Sequence, residues 1–324
     1  MKRALLHTRR RLAAVVLAAL PGVTLAASYP DRPVTLVVPY PAGGSLDTVG
    51  RPLAQRFEAT TGQAMILENV GGAGGLIGAA RVAKSAPDGH TLLLASNGQV
   101  TIAPLVYKDM SYDPQRDLVP VVHLVDQTAV LYASAKSGYR QFADVVEAAK
   151  GQSLQIASSG NGSISHLAME LMAQQLGASV THVPYRGAAP ALQDLAGGQV
   201  PLLFTFVGSA KGLTESGMVR PLAVASPQRL AALPDVPTFA ELGYPNLQAS
   251  VWIGLMAPAG TPQERIERLS RIVGDMLDEP SFQQAMAANS MESKGGSVQD
   301  FQAMMADDAA RWAELAKIVN LSSN

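Results

Sequence analysis

The feature that most limits the fold of this chain is a repeated alternation of short, continuous apolar runs with amphipathic stretches. Residues 34–38, Val-Thr-Leu-Val-Val, are apolar at nearly every position, which suits a strand buried on both faces, as in a parallel sheet. A turn over 39–44 and helical spacing over 45–59 follow. Next come a strand over 64–70, a glycine loop at 71–75 and a helix over 76–84. After the turn signal Pro87-Asp88-Gly89, a third apolar strand covers 91–95. This βαβαβ order predicts a parallel sheet with helices on both faces.

Near Leu118 the order changes. Strands over 119–124 and 129–133 come without a full helix between them. The alternation then restarts: helix 142–150, strand 154–157, helix 163–176, strand 180–183, helix 189–196, strand 200–204, helix 208–216 and strand 219–225. A long extended run at 248–257 precedes helices over 262–277, 281–288 and 298–318, with Ser297 available to cap the last. The order predicts an α/β chain of two lobes. Lobe one takes residues 29–128 plus 250–324, and lobe two takes 129–249. Two crossings between the lobes make a two-strand hinge, and the C-terminal helices are expected to pack back on lobe one. The charged face of the last helix (Asp307, Asp308, Arg311, Glu314, Lys317) reads as a solvated surface.

Composition narrows the function. The 324 residues are 48% hydrophobic and 16% charged, so the chain can bury one large or two medium cores and is not disordered. A net charge of -1 supplies no basic excess for nucleic acid or an anionic membrane surface. Without cysteine there is no disulfide, thiolate metal site or thiol nucleophile. His7, His90, His123, His166 and His182 show no ligand spacing such as HExxH, so neither a metal nor a cofactor is expected. At the N-terminus, Lys2, Arg3 and Arg9 to Arg11 precede a short apolar run at 12–20, the breakers Pro21 and Gly22, and small residues at 24–28. That is the order of a secretory signal over residues 1–28, cleaved near 26–28 and directing the chain to the periplasm. The run is shorter than the ~20 residues a membrane span needs. The general secretory and twin-arginine routes both fit.

Two loops carry the candidate chemistry. The first, Pro39-Tyr-Pro-Ala-Gly-Gly-Ser-Leu-Asp47, follows a buried strand and opens a helix. Its glycines allow close backbone approach, and the helix start offers unpaired N–H groups to an anion. Tyr40, Pro41, Ala42, Gly43, Gly44, Ser45 and Asp47 are the candidates there. The second, Ser158-Ser-Gly-Asn-Gly-Ser-Ile-Ser-His166, has the same setting, with Ser158, Gly160, Gly162, Ser163 and His166 as candidates. Each loop alone also reads as a plain strand–helix turn. One helix N-terminus stabilises an anion by roughly 0.3–1 kcal/mol, against about 8 kcal/mol for micromolar binding. A ligand therefore needs both loops and burial between them. The Gly71 to Gly75 loop lacks the Lys-Ser/Thr of a P-loop and the acidic partner of a dinucleotide fold, and reads as a close-packed helix start.

A serine hydrolase is the competing class. Gly43-Gly-Ser45-Leu-Asp47 is one residue from a nucleophile elbow, and Ser163 and His166 stand three apart. Neither is a triad, and the elbow's last glycine is replaced by Asp. Catalysis is not expected.

Further segments recur in a recognisable order: Tyr29-Pro-Asp-Arg-Pro-Val34, Val37-Val-Pro-Tyr-Pro-Ala-Gly-Gly44 with Asp47, and Ala86-Pro-Asp-Gly-His-Thr-Leu-Leu93. Tyr112-Asp-Pro114, His182-Val-Pro-Tyr-Arg-Gly187, Gly197-Gly-Gln-Val200, Leu233-Pro-Asp-Val-Pro-Thr238 and Ala257-Pro-Ala-Gly-Thr-Pro262 complete the set. Together they resemble the Bug family, the periplasmic receptors of tripartite tricarboxylate transporters. The resemblance implies a two-lobed type II periplasmic binding protein fold with a closing cleft. It also implies a small mono- or dicarboxylate ligand, in some members an aromatic acid or an acidic amino acid, and the transporter's membrane subunits as partners of a monomeric receptor. One carboxylate would be held by backbone amides and ordered water between the two loops. The far end of the ligand would meet Ser96, Asn97, Tyr185, Arg186 and Thr205, and Gly187 is a further candidate ligand-binding residue. A receptor of this fold that reports to a membrane sensor kinase is the alternative.

Three departures from the family pattern bear on the ligand. Asn69-Val-Gly-Gly72 stands where Asn-Arg-Pro-Gly is frequent, which removes an arginine. Thr205 follows Phe204 where Asp is common, so a ligand without an amino group is expected. Arg186 stands where Lys is common; it reads either as a fork for a second carboxylate or as a surface residue.

Overall fold

The computed structural model describes residues 29–318, and the expected signal segment lies outside them. The elements run β1 (Val34–Val38), α1 (Ser45–Thr61), β2 (Met65–Asn69), α2 (Leu76–Ala83), β3 (Thr91–Ser96), α3 (Ala103–Val106), α4 (Pro114–Asp117) and β4 (Leu118–Thr128). Then follow β5 (Val130–Ser134), α5 (Phe142–Ala149), β6 (Leu154–Ser158), α6 (Ile164–Leu176), β7 (Val180–Pro184), α7 (Ala188–Gly197), β8 (Leu202–Thr205), α8 (Val207–Glu215) and β9 (Val219–Val224). The chain ends with β10 (Ser250–Pro258), α9 (Gln263–Leu277), α10 (Pro280–Ala287), β11 (Met291–Ser293) and α11 (Val298–Ile318).

Two sheets form, of order β11-β4-β10-β3-β1-β2 and β7-β6-β8-β5-β9. The run at 34–38 behaves as its composition demands. Leu36 and Val38 enter a layer with Leu53 and Phe57 of α1, while Val37 enters the opposite layer with Ala79 and Val82 of α2. The second sheet is likewise buried on both faces, Leu131 on one side and Val130 and Tyr132 on the other.

The sheets are mixed where a parallel one was expected. β1 lies parallel between β2 and β3, but β10 is antiparallel to both β3 and β4, and β5 is antiparallel to β8 and β9. The reason is the connection between lobes. The chain leaves the first sheet on β4 and returns on its neighbour β10, so the two must run in opposite directions. Between them three buried alanines join the strands: Ala129 N–H donates to Ala249 O (2.9 Å), Ala249 N–H to Ala225 O (3.0 Å) and Ala225 N–H to Ala129 O (2.9 Å).

The last helix departs from expectation twice. Its N-terminal half packs Phe301 edge-on against Trp252 in the first lobe, but Trp312 is buried in the core of the second sheet. The helix therefore holds both lobes. Asp308, expected in solvent, is half-buried instead. It accepts hydrogen bonds from Thr101 Oγ1 (2.5 Å), Trp252 Nε1 (2.9 Å) and Trp312 Nε1 (2.9 Å). Burial raises the carboxyl's pKa above the usual range.

Candidate functional site

The site is assembled from strand ends. After β1 the chain turns into α1, whose N-cap Gly44 has no side-chain cap. Asp47, a candidate ligand residue, is used locally: it accepts from Gly43 N–H (3.2 Å), Arg51 Nε (2.7 Å) and Asn69 Nδ2 (3.3 Å). It thereby shapes the loop and lines no cavity. After β6, Ser163 caps α6, accepting from His166 N–H (3.3 Å) while its hydroxyl donates to Gly160 O (2.6 Å). His166 Nδ1 accepts from Gly162 N–H at 3.2 Å, and its ring stacks on His182 with centroids 4.2 Å apart. Burial, and secondly the neighbouring His182, push His166 down to about 4; burial lowers His182 as well.

A cavity lies between the lobes. Lobe one lines it with Tyr40, Pro41, Gly44, Ser45 and Leu46, and with Ser96, Asn97 and Gly98. Lobe two contributes Ser159, Ser163 and Ile164, then Gly187 to Pro190, then Phe206; Val251 of β10 completes the wall. Its volume is about 50 Å³, room for a few water-sized groups. No charged side chain lines it. Instead the N-termini of α1, α6, α7 and α8 converge there, at Gly44, Ser163, Gly187 and Phe206, and three of the four have no side-chain cap. The first N–H groups of a helix have no acceptor within it and carry partial positive charge. A cavity at four such ends favours an anion without using a cationic side chain.

Behind this wall, Gln99 is buried and fully used. It accepts at Oε1 from Ser96 N–H and Oγ, and donates from Nε2 to the Tyr40 hydroxyl (2.8 Å) and Gly74 O (3.0 Å). Tyr40 is thereby held in place, and burial pushes its phenol up to about 12. Asn97 donates from Nδ2 to Ser250 O at 3.0 Å, while its Oδ1 has no partner in the protein.

A second, more open cavity of about 200 Å³ shares Tyr40 and Ser159 with the first and adds the Gly72 to Gly75 loop, Gly160, Tyr185 and Arg186. Arg186 is exposed and makes no ion pair among the described residues. Tyr185 is tied back, its hydroxyl donating to Asp194 Oδ2 at 2.7 Å. The lobes touch here. Tyr107 and Asn161 are hydrogen-bonded across the mouth, and a Cβ on Gly187 would come within 3.4 Å of Pro41 Cδ.

Of the residues singled out from sequence, Tyr40, Pro41, Gly44, Ser45, Ser96, Asn97, Ser163 and Gly187 meet at the first cavity. Gly160, Tyr185 and Arg186 line the second. Ala42, Gly43, Asp47, Ser158, Gly162, His166 and Thr205 line neither. Ser158 is fully buried, 2.6 Å from His182 Nε2, and Thr205 is buried with its hydroxyl unpartnered in the protein. Ser159, Ala188 to Pro190 and Phe206 were not foreseen. A glycine followed by a helix start after β7 was the available signal for the third helix end; the fourth had none.

The family described as the tripartite tricarboxylate transporter family receptor matches residues 49–321. A Pseudomonas sp. protein encoded in the tcbD-tcbE intergenic region is 35% identical over 322 residues, 98% of this chain and 96% of the relative. BugT of Bordetella pertussis is 35% identical over 293 residues, 90% of each chain. Among solved structures, an R. palustris protein with adipate has 36% identity and a TM-score of 0.87, over 90% of this chain and 98% of that one. MatC from Rhodopseudomonas palustris with bound malate has 31% identity and a TM-score of 0.84, over 89% and 99%.

Proposed function

The chain belongs to the tripartite tricarboxylate transporter receptor family, periplasmic solute-binding proteins of two-lobed α/β fold, and on that premise we propose that it captures a small carboxylate between its lobes for the membrane subunits of such a transporter. The observation that carries this reading is the interlobe cavity: four helix N-termini converge on a space that no charged side chain lines. Backbone amides at the starts of α1, α6 and α7 take the carboxylate, assisted by the Ser45 hydroxyl, while Ser163, whose hydroxyl donates to Gly160 O, shapes the start of α6. Tyr40, Pro41, Gly44, Ser96, Asn97 and Gly187 shape the surrounding wall. Relatives with malate and adipate support an acid ligand of this size. A ligand lacking an amino group follows from the same electrostatics: no carboxylate lines the cavity, and Asp47 is engaged by Arg51 and Asn69. For a longer diacid, Arg186 in the adjoining cavity is the group positioned to take the far end.

The protein acts in the periplasm, as a monomer, with residues 1–28 as its export signal, and it binds without turnover. The Ser158–His182 pair is no nucleophile, because Ser158 is 0% exposed and faces neither cavity. A thermal-shift screen against carboxylic acids tests the binding claim. Ligand at 100 times its Kd adds ~2.7 kcal/mol, which at about 2–4 °C per kcal/mol raises the melting temperature by roughly 5–10 °C. Unchanged melts across the panel, using protein refolded from denaturant to strip any retained ligand, would overturn it.

A further inference from the structure

Gln99 joins parts of the first lobe that the sequence keeps far apart. It lines neither cavity, and it sits in a single π-helical turn, Gly98–Ile102, after β3. Such turns recur at functional sites. Its backbone carbonyl accepts from the Tyr112 hydroxyl at 2.7 Å, which anchors the residue from behind. The amide orientation follows from two partners of fixed role. Oε1 lies 3.0 Å from Ser96 N, which can only donate, and Nε2 lies 3.0 Å from Gly74 O, which can only accept.

That orientation commits two hydroxyls of the cavity wall. Ser96 Oγ donates to Gln99 Oε1 at 2.9 Å. Tyr40 Oη accepts from Gln99 Nε2 at 2.8 Å and donates to Gly74 O at 3.0 Å. The remaining partner reaches toward the other lobe. Gly74 stands where the cleft closes: a Cβ there would lie 2.8 Å from Asn161 O, and one on Gly160 would lie 4.0 Å from Gly74 Cα. Gly75, at φ +95°, lets Gln99 come this close, since a Cβ there would collide with Nε2. One buried side chain therefore ties Ser96 and Tyr40 of the ligand cavity to the loop that meets the second lobe.

We propose that Gln99 is a positioning residue that couples ligand capture to closure of the cleft. It touches no ligand and acts by holding Tyr40, Ser96 and Gly74 as one unit. The inference rests on the carboxylate-receptor reading above and adds to it a residue that sets how long the acid is retained. Without these bonds the Gly74 loop has to be ordered at each closure, a cost that falls on the closed state. The open cleft that first meets the acid is unaffected, so the lost affinity appears in the release rate.

Stopped-flow kinetics of the full chain, refolded from denaturant, with succinate, malate, adipate and benzoate test it. Gln99→Met keeps the side-chain length and loses the hydrogen bonds. Release of whichever of these acids bind should become faster on the order of tenfold, with association unchanged. A residue that only stabilised the fold would lower the melting temperature and leave release as it was. Gln99→Glu keeps the bonds from Ser96 and loses the donors, and it carries the test if Gln99→Met does not fold. Burial raises the pKa of the introduced carboxyl, and its protonated form donates again. Its release, relative to wild type at the same pH, should therefore be fast at about pH 8 and slower at about pH 6. Release at the wild-type rate in the variants, or fast release in Gln99→Glu that acid does not slow, would overturn the role of Gln99 and leave the receptor reading standing. An absence of binding by every acid to the wild type would overturn both.

Discussion

Tyr107, at the end of α3 in the first lobe, donates its hydroxyl to the backbone carbonyl of Asn161 in the second, at 3.0 Å. The bond spans the mouth of the cleft, so it exists only while the lobes are closed. Tyr107→Phe is therefore expected to speed ligand release and leave association unchanged. One hydrogen bond of about 0.5–1.5 kcal/mol corresponds to roughly a 2- to 10-fold rise in Kd. Stopped-flow release rates measure this directly; an unaltered rate would mean that the contact does not hold the cleft shut.

Two glycines should separate closure from ligand approach. Gly74 has φ +64°, and a Cβ there would lie 2.8 Å from Asn161 O, in the opposite lobe. An alanine bears a left-handed backbone cost of about 1–2 kcal/mol, but the clash itself is relieved by opening. Gly74→Ala should melt only a few degrees lower without ligand and lose the ligand-induced shift. Gly44 has an extended backbone, and the nearest atom to an added Cβ is Pro41 O at 3.8 Å. A Cβ fits there, so Gly44→Val should lower the unliganded melt only by the small cost of a poorer N-cap and abolish the shift by filling the cavity. If both variants respond to ligand like the wild type, the cavity is not the binding site.

Stability should fall in mild acid. His166 is neutral in the folded protein, with its pKa pushed down to about 4 by burial and by His182. An unfolded histidine takes up its proton near 6.5. Between those values the unfolded chain binds more protons, so stability present above about pH 6.5 is lost as the pH falls toward 4. The loss reaches up to about 3 kcal/mol. Protonation at Nδ1 also ends its role as acceptor for Gly162 N–H. Denaturant unfolding between pH 7 and pH 4 should show the slope, and His166→Gln should flatten it. An equal slope in the variant would place the sensitivity elsewhere.

Asp308 should matter for stability well beyond an ordinary surface carboxylate. Asp308→Ala leaves the indole N–H groups of Trp252 and Trp312 without their acceptor, while the Thr101 hydroxyl still has Asn97 O at 3.2 Å. Such losses cost about 1–3 kcal/mol for each buried group, so a total destabilisation of roughly 2–5 kcal/mol is expected, with Asp308→Asn milder. A loss below about 0.5 kcal/mol in urea unfolding would return Asp308 to the solvated surface.

Much of this protein was legible without coordinates. Continuous apolar runs such as 34–38 declare strands buried on both faces, because no other placement hides every side chain. The break in alternation near Leu118 falls at the start of β4, which stays in the first sheet through Thr128, and the loops at 39–47 and 158–166 marked two of the four helix starts. Those features are local, set by side-chain period and by glycine and capping residues within one turn.

What only the tertiary structure decided is long-range. The helix starts at Gly187 and Phe206 join the cavity because β7 and β8 flank β6 in the second sheet. Asp308 stands on a helix face whose neighbours are charged, yet its partner Trp252 is 56 residues away on the strand that returns from the second lobe. Asp47 and Asn97 were both plausible ligand residues by position. Folding turned the first onto Arg51 and Asn69, and left the second with one amide atom tied to Ser250 and the other free. Residue type determines which hydrogen bonds a side chain is able to make; the closed packing of the two lobes determines which of them are already taken.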